Sequence, residues 1–274
     1  MISDVTLGQF FPGNSIIHRI NPAMKLILTV LFIVTVFIAQ SVLALGLLLI
    51  ISLLLVPISG ISLKTIMKAL KPLRFIIIFT SILNIFWTTG EVELVSFWVI
   101  HIYAEGLIRA LLVIMRVTAL LIGSTLLISY TTSPIALTDG LEKLLTPLAK
   151  MGVSVHDFTM MMTIALRFIP TLIEETEKII SAQKARGADF GTGSIFARAK
   201  ALIPIFIPLF LSCIRRAEDL AVAMECRCYN SGKGKTKMNS IKWRALDFIA
   251  LGVTVALGTG IYFINLVPTG MFTF

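Results

Sequence analysis

The run FIALGVTVALGTGIYFINLV, Phe248 to Val267, is twenty residues long and carries no charge. Coiled into a helix it reaches about 30 Å, the depth of a hydrocarbon core. It reads as a membrane span and sets the class of the whole chain. Four further apolar runs precede it. Leu26–Ala39 and Val42–Val56 are separated only by Gln40 and Ser41, Phe75–Trp87 is shorter, and Leu107–Ile128 is interrupted by Arg109 and Arg116. The first three are short and need their flanking residues to cross. Composition agrees: 57% of residues are apolar and 14% charged, and mean hydropathy is +0.93. A soluble domain is about half apolar and a quarter charged.

Met1–Asn21 is polar and contains Pro12 and Gly13, so no secretory signal is expected there. The net charge of +9 raises nucleic acid as a partner, but its distribution argues against it. Sixteen of the 24 Lys and Arg, and ten of the 15 acids, fall between Ser129 and Arg244. That is a mixed-charge surface with no basic stripe interleaved with aromatics, so no nucleic acid is expected. A face beside anionic lipid is the plainer reading.

Lys64, Lys68, Lys71 and Arg74 cluster between the second and third runs, whereas the loop Thr88–Glu105 holds three acids and no Lys or Arg. The positive-inside rule places the first in the cytosol and the second outside. The expected organisation is an N-terminal membrane domain with about four spans over residues 1–128. A cytosolic domain over 129–243 and a C-terminal transmembrane helix over 244–274 follow. The fold class is an all-α membrane protein with about five transmembrane helices and a cytosolic platform of about three long, bent amphipathic helices. The N-terminus and the platform lie in the cytosol.

The first platform helix opens at Ser133-Pro134 and runs to about Lys150. The second runs from near Val155 to Arg186 and is stopped by Gly187. The third runs from about Ser194 to Arg227, before a loop over Asn230–Lys237. In the third, Ala199, Leu202, Phe206, Leu209, Cys213, Leu220 and Met224 recur at spacings of mostly three and four, the stripe of a helix packed along one face. Pro170, Pro204 and Pro208 are expected to bend the apolar halves, where neighbours can satisfy the carbonyls that proline frees.

The second and third helices each finish in an arginine between small residues: Ala185-Arg186-Gly187 and Cys226-Arg227-Cys228. One such ending is an ordinary helix C-terminus, with a cation in the last turn. Its recurrence points to docking, because a guanidinium at a slim helix tip can enter an acidic groove and bind carboxylate through two parallel hydrogen bonds. Arg167 and Arg216 read instead as fasteners between helices, with Glu174, Glu175, Glu218 and Asp219 as candidate partners. Arg109 and Arg116 lie seven apart on one face of the fourth span, Arg109 reaching outward and Arg116 pairing inside the bundle.

No catalytic constellation is legible. Gly234-Lys235-Thr236 resembles the end of a phosphate-binding loop, but Tyr229 stands where its first glycine belongs and a helix precedes it. Any nucleotide is then bound by another chain. Cys213, Cys226 and Cys228 have no histidine nearby in sequence, so no metal site is expected, and their place in the basic block argues against disulfides.

The chain resembles the transmembrane coupling (T) component of energy-coupling-factor transporters, the ABC-type importers of vitamins and metal ions in prokaryotes. The resemblance spans nearly the whole chain. It rests on the opening Gly8-Gln9-Phe10-Phe11-Pro12-Gly13-Asn14-Ser15, then His18-Arg19-Ile20-Asn21-Pro22 with Lys25, and Thr132-Ser133-Pro134. It continues through Arg167-Phe168-Ile169-Pro170-Thr171, Ala182-Gln183-Lys184-Ala185-Arg186-Gly187, Arg215-Arg216-Ala217-Glu218-Asp219-Leu220 and Ala223-Met224-Glu225-Cys226-Arg227-Cys228-Tyr229. It implies a non-enzymatic subunit of a prokaryotic cell membrane, with Arg186 and Arg227 each seated in one of two ABC ATPase subunits. Those subunits, not this chain, bind ATP, and no cofactor is implied. A small membrane-embedded substrate-binding (S) component is the third implied partner. The sequence departs from the family at Cys226 and Cys228, which replace the usual Ala and Gly; Cys228 lacks the freedom of glycine at positive φ. Two other readings remain: a membrane enzyme acting on lipid-linked substrates, and a conventional ABC permease.

Overall fold

The computed structural model describes residues 10–89, 93–97, 100–149, 151–152, 154–188, 195–229 and 242–266. Gly8 and Gln9 of the opening motif, Ser194, and the Asn230–Lys237 loop with its Gly234-Lys235-Thr236 segment lie outside these residues. Among the described residues ten α-helices form: α1 (Ile16–Arg19), α2 (Pro22–Ile38), α3 (Val42–Ser59), α4 (Leu63–Leu70) and α5 (Arg74–Trp87), then α6 (Ala104–Ser124), α7 (Pro134–Ala149), α8 (Val155–Ala185), α9 (Ile195–Cys226) and α10 (Ala245–Leu266). The architecture is that of an all-α membrane protein, apart from one hairpin.

Over its described residues each of the five apolar runs is helical, apart from Ala39, which caps the first. α3, α10, and α6 together with the π-helical turn Thr125–Tyr130 that continues it, are long and apolar enough to cross a membrane. α4 and α5 meet that test only as a pair, bent by 61°, and α2 is shorter, at 17 residues. Local chemistry fixes the starts. Asn21 caps α2 by accepting from Ala23 N at 2.9 Å, with Pro22 at the first helical position. Ser41 and Ser62 cap α3 and α4 in the same way. Ser133 Oγ accepts from Ala136 N at the start of α7.

The acidic stretch Thr88–Glu105 differs from the loop expected there. It contains the antiparallel strands β1 (Glu93–Phe97) and β2 (Ile100–Tyr103), with an irregularity between Glu93 and Val95. The segment is dense in β-branched and aromatic residues, which favour a pleated pair, and the charge count that located it is blind to this.

The chain divides into two compact units, one within residues 8–144 and 241–274 and one within 145–240, so α7 begins in the first and ends in the second. The apolar interior of the first unit falls into separate clusters. Val36, Leu45, Leu48, Leu112 and Ile261 form one cluster, and Val56, Ile66, Ile122, Leu126 and Tyr130 another. A polar hub ties its helix ends together. Lys25 is buried, and its ammonium donates to Thr131 O at 2.7 Å, Thr131 Oγ1 at 3.1 Å and Thr132 Oγ1 at 3.2 Å. Asp247, fully buried at the start of α10, accepts from Asn21 N at 2.9 Å and Arg244 N at 2.8 Å. Arg116 donates to Ala39 O at 2.8 Å, capping the carbonyl end of α2 from inside the bundle, and Arg109 is exposed.

Candidate functional site

The two arginine triplets belong to the second unit, which is built on α8 and α9. Both helices run unbroken through their prolines. Pro208 has no N–H, so it leaves the carbonyl of Pro204 without its usual helical partner. Gln183 of α8 supplies one: its Nε2 donates to Pro204 O at 3.4 Å. Further along, Ser212 Oγ donates to Glu175 Oε1 at 2.5 Å, and Arg216 donates to Glu175 Oε2 in an ion pair. The Ser212 hydroxyl, helped by the Arg216 guanidinium, holds the Glu175 carboxyl below the usual carboxylate range. Beyond that clasp lies an apolar groove of about 280 Å³, lined by Ile164, Phe168, Leu172, Cys213, Leu220 and Met224.

These contacts fix the direction of the pair. Residue numbers fall along α8 as they rise along α9, so the two helices are antiparallel. Arg186 lies three residues past Gln183, beside Pro204, whereas Arg227 lies twenty-three residues beyond Pro204. At about 1.5 Å per helical residue the two offsets add, and the two tips stand on the order of 40 Å apart, at opposite ends of the pair.

The tips themselves share one construction. After α8, Ala188 N donates to Gln183 O at 3.0 Å, Gly187 N to Lys184 O at 2.9 Å, and Gly187 has φ +86°. After α9, Tyr229 N donates to Met224 O at 3.0 Å, Cys228 N to Glu225 O at 2.8 Å, and Cys228 has φ +55°. Bond for bond this is the same Schellman cap, with arginine as the last partly helical residue and a left-handed residue after it. Cys228 therefore takes the conformation for which glycine is suited. All six triplet residues, Ala185, Arg186, Gly187, Cys226, Arg227 and Cys228, are exposed.

Among the fastener candidates, the structure brings Arg216 and Glu175 together across the two helices. Arg167, Glu174, Glu218 and Asp219 are exposed, and no ion pair forms among them. The packed stripe of α9 differs from the expected one in its first half. Leu202 is 56% and Phe206 65% exposed, while Ile205 is buried and Ala201, Leu209, Cys213, Leu220 and Met224 are half-buried. The side chain of Ala199 lies outside the described residues. From residue 201 to 214 almost every residue is apolar, so periodicity cannot choose a face there; packing does. The stripe is one residue out of phase as a result.

Sequence reasoning missed Ser212 and Gln183, because a lone polar residue in an apolar helix signals only that it needs a partner. It also missed the hub of Lys25 and Asp247, although each directly precedes an apolar run, Leu26–Ala39 and Phe248–Val267. Among the described residues no group of His, Cys, Asp and Glu could hold a metal ion. The three cysteines are free, Cys213 half-buried and the other two exposed.

Comparison with known proteins bears on the whole chain. The model of the family described as cobalt transport protein matches residues 13–238. The energy-coupling factor transporter transmembrane protein EcfT of Clostridium kluyveri is 47% identical over 91% of this chain and 93% of its own length. Its counterpart in Ruminiclostridium cellulolyticum is 46% identical over 94% and 96%. That of Bacillus subtilis is 39% identical over 97% of this chain and its full length. The matched span holds both arginine tips, the Glu175 clasp and all of the apolar runs but the last, so the chain belongs to the family of the energy-coupling factor transporter transmembrane proteins, multi-pass components of membrane transporters.

Proposed function

We propose that this chain is the coupling subunit of an energy-coupling-factor importer, and that Arg186 and Arg227 are its two points of attachment to a pair of cytosolic ATPases. The observation that carries this is the duplicated tip. Two helices end in the same hydrogen-bonded cap, each presents an exposed arginine, and the antiparallel pairing sets the arginines on the order of 40 Å apart. Neighbouring small residues let an acidic groove close around each guanidinium. That separation suits two docking grooves on two subunits better than two contacts within one.

ATP binds to and is hydrolysed by the partner subunits, and this chain performs no chemistry of its own. Closure of the ATPases moves the tips, and the α8–α9 pair carries the displacement as a unit because the Glu175 clasp and the Gln183 bond cross-link it. The load acts on a small substrate-binding membrane protein packed on the exposed apolar flank of α9. There Leu202, Phe206 and Phe210 stand bare, with the two phenylalanine rings stacked 6.0 Å apart. Reorientation of that partner delivers a vitamin or metal ion to the cytosol. The N-terminus and the α8–α9 unit face the cytosol in this reading, in keeping with the positive-inside distribution of charge.

The test is uptake by cells whose only copy of this chain is Arg186→Glu/Arg227→Glu. Abolished uptake, with the variant still inserted in the membrane, is the expected result. Uptake at the unmodified rate would refute the proposal.

A further inference from the structure

We infer that α4 and the turn after it form a binding surface for anionic phospholipid headgroups. α4 is held in place by one face only: Ile66 is buried in the cluster with Val56, Ile122 and Leu126, and Ala69 and Leu70 pack against it. Its remaining circumference is bare and sorted by chemistry. Leu63 and Met67, four apart, are 56% and 66% exposed and form an apolar edge next to the packed face. Lys64 and Lys68, again four apart, form the next edge, and Lys71 and Arg74 continue it through the turn; all four are exposed. None of the four makes an ion pair among the described residues, and no Asp or Glu occurs between Lys64 and Thr89.

An amphipathic helix with an exposed apolar edge beside a basic one is built for the membrane boundary. The apolar edge enters the acyl region while the cations stay at headgroup depth. The 61° bend into α5 allows this, since α5 leads away with Phe75, Ile76 and Phe79 exposed and the two phenylalanine rings stacked 6.2 Å apart. Like charges four apart on a helix repel, so Lys64 and Lys68 call for a counter-charge, and no acidic residue among the described ones pairs with either. Phosphate diesters at a membrane surface supply it, and zwitterionic headgroups do so less well. This inference concerns a lipid and is independent of what the arginine tips dock to.

The test uses the full chain in nanodiscs of mixed phosphatidylcholine and phosphatidylglycerol, with native mass spectrometry reading the lipids retained. The unmodified chain is expected to retain phosphatidylglycerol in preference. Each Lys→Gln change at 64, 68 and 71 lowers that preference roughly fivefold, and the triple variant on the order of a hundredfold. Lys→Arg at all three keeps it. A second arm needs no variant: amine acylation of Lys64, Lys68 and Lys71 slows in phosphatidylglycerol discs relative to pure phosphatidylcholine, while Lys178 is unaffected. Equal retention of the two lipids by the unmodified chain, or a triple Gln variant with undiminished preference, would overturn the proposal. So would protection of the three lysines that requires a co-purified protein and no anionic lipid, which assigns the surface to an acidic protein partner.

Discussion

The matched caps predict that Gly187→Ala and Cys228→Gly act in opposite directions. Both positions hold the left-handed conformation, at φ +86° and +55°. A side chain there brings Cβ against the backbone at a cost of about 1–2 kcal/mol, and glycine offsets part of this by losing more freedom on folding. The net difference is about 1 kcal/mol, or roughly fivefold in a local equilibrium. A Cβ added at Gly187 meets nothing within 4 Å, so the change there is conformational and not a clash. Hydrogen exchange reads the caps directly, through Ala188 N bonded to Gln183 O and Tyr229 N bonded to Met224 O. Gly187→Ala is expected to speed exchange at residue 188 by roughly fivefold, and Cys228→Gly to slow it at Tyr229 by a similar factor. Unchanged exchange in the first variant, or faster exchange at Tyr229 in the second, would refute the shared-cap reasoning.

Three further outcomes follow from single contacts. The lowered pKa of Glu175 means that its clasp contributes stability above the ordinary carboxylate value of about 4.5 and loses it as pH falls through the lowered one. The difference in melting temperature between the unmodified chain and Glu175→Gln is therefore expected to shrink on acidification below that value. Gly140→Ala places a Cβ 2.8 Å from both Ala23 N and Pro22 C, backbone atoms that cannot swing aside. It should cost about 1–3 kcal/mol by thermal unfolding in detergent, whereas Gly252→Ala, with nothing within 4 Å, costs no such penalty. Asp247→Ala orphans the buried N–H of Asn21, at about 1–3 kcal/mol, while water can replace the carboxylate at the exposed Arg244; Asp247→Asn, whose amide oxygen can still accept, should recover part of that loss in the same assay.

The membrane class, the five apolar runs and the three long helices after Tyr130 were legible because each depends on a run or a period longer than one turn. Residues Val155 to Gly187 illustrate this: a proline-containing amphipathic stretch closed by glycine becomes one helix with a glycine cap. What stayed hidden depends on residues far apart in sequence. The face of α9 around Leu202 could not be read, because an apolar half-helix has no polar side to mark the other. The choice of Glu175 over Glu174 as the partner of Arg216 required the register between α8 and α9, which no spacing within either helix contains. The conformation of Cys228 was legible only as a conflict between a glycine-like position and a residue with a Cβ. The structure resolves it in favour of the backbone hydrogen bonds. Lys25 and Asp247 show the same limit: each was visible as the charge directly before an apolar run, and only the fold supplies the oxygens and N–H groups that hydrogen-bond it.

The central claim is that two arginine tips hold two ATPases separately. Its most direct measure is the number of ATPase subunits that co-purify with this chain from its native membrane in mild detergent, counted by native mass spectrometry. Two subunits are expected for the unmodified chain, one each for Arg186→Glu and Arg227→Glu at low protein concentration, and none for the double variant. Two subunits retained by the double variant would contradict the account.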